Sequence, residues 1–97
     1  MRRVVLSKQA RLDIFDLASY AHEYSEKGVE RIADETDKTR DLLSLFPDIG
    51  RERPDIGEGV RSVVNRKLNA LFLYTRDEDN ILILRVVSAK TDNLDNL

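Results

Sequence analysis

The hydrophobic positions of this chain change period partway along it, from helical to strand-like. Residues 2–6, Arg-Arg-Val-Val-Leu, are rich in β-branched side chains and predict a short strand. Ser7 follows, with a hydroxyl suited to accept from a free amide of a first helical turn. Ala10, Ile14, Leu17, Ala18, Ala21 and Tyr24 then recur at a helical period, which predicts a helix over residues 8–25. Arg11, Asp13, Asp16, Glu23 and Glu26 mostly face away from that stripe. Gly28 marks a break, since glycine is disfavoured inside helices and common at their ends. A second helix over 29–45 should turn Ile32, Ala33, Thr36, Thr39, Leu42, Leu43 and Phe46 inward. Pro47 stops it, because proline disfavours the α conformation at the residue before it. Two helices joined by so short a link form an antiparallel hairpin.

Residues 47–59 hold both prolines and three of the four glycines, and read as a loop of turns. Beyond it the period falls to two. Residues 60–67, 70–76 and 80–88 read as three strands, with Leu68-Asn69 and Asp77-Glu78-Asp79 as hairpin turns. The last strand is apolar on both faces, which places it inside a sheet. By strict alternation Ile81, Ile83, Arg85 and Val87 would share one face. Residues 91–97 are polar and expected to fray. The order β-α-α-β-β-β predicts an α+β fold: an N-terminal helical hairpin packed on a mostly antiparallel sheet, in a single domain over residues 1–97.

Length supports that single small core, and charged residues at 35% give it a well solvated surface. The net charge of −2 lacks the basic footprint of a free-standing nucleic-acid binder. With no cysteine, disulfides, thiolate chemistry and Cys-based zinc sites are excluded. The longest apolar run, residues 70–74, is far too short to span a membrane, and residues 1–8 lack a signal-peptide apolar core. The expected location is the cytoplasm. No phosphate loop, nucleophile elbow or zinc-protease helix is present. Asp34, Glu35 and Asp37 read as a solvated helix face, and the one histidine, His22, as a partly exposed helix residue. Arg85 stands out as a guanidinium in an apolar strand, which requires an ion pair, for instance with Asp55, or a role in binding a partner.

Four segments taken in order resemble the ParE branch of the RelE/ParE toxin superfamily. They are Val5-Leu6-Ser7-Lys8-Gln9-Ala10-Arg11-Leu12-Asp13-Ile14 with Tyr20; Leu45-Phe46-Pro47-Asp48-Ile49-Gly50-Arg51 with Arg53-Pro54; Gly59-Val60-Arg61-Ser62 leading into Leu71-Phe72-Leu73-Tyr74-Thr75-Arg76; and Ile83-Leu84-Arg85-Val86-Val87, ending in Asp92. The resemblance implies the toxin of a type II toxin–antitoxin pair, without catalytic residues, cofactor or metal, that inhibits DNA gyrase by binding. It also implies a ParD-like antitoxin partner, with operator DNA engaged only through that antitoxin. The RelE branch, whose members cleave mRNA on the ribosome, is the alternative, as is a decayed toxin that serves only in an autorepressing complex. Ser88 stands where members of the superfamily often carry a histidine, and the acidic balance disfavours docking to RNA, so the ParE branch fits better. Phe15, Tyr20 and Tyr24, at the edges of the first helix, are the expected antitoxin contacts. Arg61, Arg66, Arg85 and Lys90 are the expected target-binding residues, converging at the open end of the sheet.

Overall fold

The computed structural model describes residues 2–22 and 26–89. The elements are β1 (Arg3–Leu6), α1 (Lys8–His22), α2 (Glu26–Leu45), β2 (Arg51–Glu52), β3 (Arg61–Asn65), β4 (Ala70–Arg76) and β5 (Asn80–Ser88). They form one five-stranded sheet in the order β1-β5-β4-β3-β2. β1 runs parallel to β5, and every other pairing is antiparallel. The α+β expectation holds, and the apolar last strand is interior, between β1 and β4. The two-residue β2 is an addition: it lies in the segment read as turns.

Ser7 performs two tasks where β1 hands over to α1. Its hydroxyl accepts from the Ala10 amide at 3.0 Å, capping the helix, and donates to the Leu84 carbonyl at 2.8 Å, tying the cap to β5. The α1 stripe then lays Ala10, Ile14 and Leu17 on the sheet. With Leu43 of α2 they pack against Phe72 and Tyr74 of β4 and Ile81, Ile83 and Val86 of β5. A smaller cluster, Val60, Leu71 and Leu73 with Ile56, Leu84 and Val87, lies apart from it. Alternation along β4 sends Leu71 and Leu73 to the far face of the sheet. The loop before β3, through Ile56 and Val60, therefore covers part of the face expected to be open.

Four local expectations are corrected. α2 begins at Glu26, so Gly28 lies in its first turn instead of breaking the hairpin. Ala33 and Phe46 are exposed, while Glu35 and Ser44 are buried. The Glu35 burial is made tolerable by partners. Its carboxylate meets Lys38 Nζ at 3.2 Å and Lys67 Nζ at 3.9 Å, and the Asn65 amide donates to it at 3.2 Å. Burial by itself would raise the Glu35 pKa, but these bonds outweigh it and hold the group below its usual range. Finally, alternation in β5 is interrupted. Leu73 pairs with Arg85 but Tyr74 with Ile83, leaving Leu84 as an extra residue. This irregularity puts Ile83 and Val86 in the helix-side cluster and Leu84 and Val87 in the other. Ile83 and Val87 therefore do not share a face.

Candidate functional site

Two kinds of surface residue were expected, and they fare differently. On α1, Phe15 is 66% exposed and Tyr20 63% exposed, with Leu12 also outward. Leu12 and Phe15, one helical turn apart, lie opposite the Ala10-Ile14-Leu17 stripe, so packing on the sheet leaves them exposed. Tyr24 falls outside the described residues. The α1 surface is thus an apolar, aromatic face, as its spacing implied.

A second apolar group went unnoticed in the sequence. Leu45, Phe46 and Ile49 are all more than half exposed and line a cleft of about 400 Å3 with Pro47 and Asp48. Phe46 continues the helical period, but Pro47 ends the helix and turns the chain out of the helix–sheet contact. The segment is held from the sheet. The buried Tyr74 hydroxyl donates to the Pro47 carbonyl at 2.8 Å and accepts from the Gly50 amide at 2.9 Å. Burial raises the Tyr74 pKa, so the phenol keeps the proton it donates. The Phe-Pro-x-x-Gly spacing was the available signal, since it closes a turn around one buried tyrosine.

The arginines do not converge. Arg61 donates to the carbonyls of Gly50 at 2.8 Å and Asp48 at 3.2 Å, and its other terminal nitrogen lies 3.4 Å from Glu52. It is the cross-strand partner of Tyr74, hence on the helix side of the sheet. Arg76, absent from the expected set, joins it by pairing with the Asp48 carboxylate at 2.7 Å. Arg53 forms a two-pronged pair with Asp55, at 2.8 and 3.1 Å. Arg66 sits in the turn after β3, five residues or about 17 Å of extended chain from Arg61. Lys90 falls outside the described residues.

Arg85 is committed to α1. Its Nε lies 2.8 Å from Asp13 Oδ2, and the same oxygen accepts from the Val86 amide at 2.9 Å. The expected partner Asp55 is therefore replaced by Asp13, and Asp55 belongs to Arg53. β1 has ended at Leu6, opposite Ile83, so the edge of β5 beyond it needs an acceptor, and the Asp13 carboxylate supplies one. Burial pushes the Asp13 pKa up, but bonds from Arg85, Val86 and Gln9 outweigh that and hold it below its usual range. His22 ends α1 and is exposed. Among the described residues no group of three Asp, Glu or His is placed to hold a metal, and no helix is long and apolar enough to cross a membrane. What the described surface offers is paired guanidinium groups beside exposed apolar side chains, an arrangement suited to binding a protein surface.

Comparison with known proteins gives a consistent picture. The sequence model of the ParE toxin of type II toxin–antitoxin systems, parDE, matches residues 4–93. Among curated proteins no sequence matches significantly. A solved structure described as the chromosomal ParDE toxin–antitoxin system from P. aeruginosa superposes with a TM-score of 0.75 at 19% identity. That superposition covers 91% of this chain and 96% of the other. With the family match spanning nearly the whole sequence, this chain belongs to the ParE toxin family of type II toxin–antitoxin systems.

Proposed function

We propose that this chain is the toxic partner of a ParD-like antitoxin and that it inhibits DNA gyrase by binding, without catalysis, in the bacterial cytoplasm. The observation that carries this reading is the family match over residues 4–93. Two features of the site support it. The exposed Phe15 and Tyr20 offer an antitoxin a ready apolar face. Arg61 is engaged on two loop carbonyls and Arg85 on Asp13, and Ser88 stands where members of the superfamily often carry a histidine able to act as proton donor. Operator DNA is engaged only through the antitoxin, consistent with the chain's net charge of −2.

The test is inducible expression in bacteria with and without the product of the adjoining reading frame, followed by gyrase supercoiling assays with purified protein. The reading expects growth arrest relieved by the neighbour, and loss of supercoiling at stoichiometric toxin. Cuts at fixed codon positions in mRNA from translating ribosomes, with supercoiling unaffected, would overturn the gyrase assignment in favour of ribonuclease action.

A further inference from the structure

β1 closes one end of the sheet, with β5 on one side and no strand on the other. Arg3 and Ser7 send their amides to the carbonyls of Asp79 and Ile83, at 3.0 and 2.9 Å. By alternation Val4 and Leu6 turn their backbone groups to the outer side. The Val4 carbonyl agrees with this, since it accepts from Arg40 of α2 at 3.0 Å and not from β5. That oxygen keeps a second lone pair. Edge strands are commonly blunted by proline, a bulge or brevity. The far end of the sheet follows this rule: β2 has two residues, and Pro54 comes soon after it. β1 does not. Its four pairs with β5 run in unbroken register, and it holds no proline.

Beside this edge lies a cleft of about 390 Å3 lined by Arg2, Val4, Asp37, Arg40, Asp41 and Ser44. Its two guanidinium groups and two carboxylates balance, and Asp37 and Asp41 are exposed. An acidic or a basic partner would meet repulsion from half of such a patch. A second copy of the same chain meets none: a two-fold axis pairs the patch with itself and sets the cations of each copy against the carboxylates of the other. The side chains along the edge fit the same occupant. Val4 and Leu6 pack toward the helices, so Val5 faces the other side of the sheet, beside its β5 partner Leu82, which is 38% exposed. An axis through Val5, perpendicular to the sheet, pairs Val4 of each copy with Leu6 of the other through main-chain bonds. It also sets the two Val5 side chains about 4.5–5.5 Å apart, next to both Leu82 side chains.

We propose that two copies of this chain pair antiparallel along β1, joining their five-stranded sheets into one continuous sheet with both helical hairpins on the same side. The pair presents each binding face twice on one rigid body, which raises avidity for any dimeric partner. The proposal does not rest on the toxin reading above.

The experiment uses the full chain alone. Sedimentation over a range of concentrations should show a reversible dimer. Hydrogen exchange at the Val4 and Leu6 amides should slow at least tenfold from dilute to concentrated samples. Val5→Lys sets two like charges side by side and should weaken self-association at least tenfold. Because Val5 is half-buried, a second set of variants leaves it in place. Asp37→Lys with Asp41→Lys makes the patch wholly basic, and Arg2→Glu with Arg40→Glu makes it wholly acidic. Each double variant should be monomeric by itself, and mixing the two should restore a dimer that holds one chain of each, a result that loss of folding cannot produce. A chain that stays monomeric at every concentration overturns the proposal, as does a mixture that fails to dimerise. A dimer that survives all these substitutions, with the Leu6 amide unchanged, overturns it too and moves self-association to another surface, such as Leu12 and Phe15 of α1.

Discussion

Tyr74 and Gly50 are locked together: the phenol oxygen accepts from the Gly50 amide, and a methyl group on Gly50 would lie 2.5 Å from that oxygen. The pair, with the Pro47 carbonyl, fixes the path by which the chain leaves α2 and enters β2. Tyr74→Phe keeps the ring and leaves a buried amide and a buried carbonyl without this partner. Such a loss costs about 1–3 kcal/mol. In a domain of this size each kcal/mol lowers Tm by roughly 4–8 °C. Thermal unfolding followed by circular dichroism checks it; an unchanged Tm would mean that water replaces the hydroxyl.

Gly50→Ala should be at least as damaging. The added carbon would also lie 2.7 Å from Tyr74 Cε1 and 2.9 Å from the Ser62 carbonyl oxygen, so it presses on a buried ring and on backbone at once. Neither can move without disturbing the sheet, and overpacking of this kind costs about 1–3 kcal/mol. The expected signature is a lower Tm with the far-ultraviolet spectrum intact. The double variant Gly50→Ala with Tyr74→Phe should lose less than the sum of the two, since part of the clash is with the hydroxyl that Phe lacks.

Asp13 ties stability to pH. Its folded pKa lies below its unfolded value, so its contribution is fully present above roughly pH 4 and is lost as pH falls through the folded value. Glu35 acts in the same direction. Denaturant unfolding should therefore show stability falling below about pH 4. Asp13→Asn keeps an oxygen for the Val86 amide but loses the charge facing Arg85. It should cost about 1–3 kcal/mol at neutral pH and make the acid decline shallower. A decline as steep as in the unaltered chain would move the effect to other carboxylates.

Phe15→Asp should separate folding from binding. Because Phe15 is exposed, Tm should change by no more than a few degrees, while affinity for the antitoxin drops at least tenfold, or about 1.4 kcal/mol. Isothermal titration on the purified variant reads the affinity, and thermal unfolding followed by circular dichroism reads the Tm. A large loss of Tm would instead place Phe15 in the fold's packing.

Arg61 and Arg66 make a contrasting pair for toxicity. Arg61→Ala removes donors from two loop carbonyls, so Tm and growth arrest should fall together. Arg66, exposed on its turn, should leave Tm unchanged when replaced by Ala. If Arg66→Ala also leaves arrest intact while Arg61→Ala abolishes it at a temperature where the variant is folded, the target contact lies near Arg61 and the Asp48 loop. Full toxicity of both would move the contact to the helical hairpin.

The sequence by itself determined the elements and their order. Period 3.6 in Ala10, Ile14 and Leu17, the Ser7 cap, the stop at Pro47 and period two beyond residue 60 are local signals, each acting within a few residues, and each holds in the structure except where the alternation of β5 breaks at Leu84. It also marked Phe15 and Tyr20 as outward, because a residue off a helical stripe faces away from whatever the stripe packs on. What only the tertiary structure decided are the relationships between distant segments. Asp13, and not Asp55, meets Arg85 because β1 ends one residue before α1's cap and leaves the β5 edge within reach of the helix. Glu35 is buried because Asn65, Lys38 and Lys67 gather around it, which no helical period can announce. Arg61, Arg66 and Arg85 do not converge, because Arg85 turns to Asp13, Arg61 to the Asp48 and Gly50 carbonyls, and Arg66 lies in the turn beyond β3. Alternation is a property of one strand, but a bulge is set by what both neighbouring strands and the covering helix require of it.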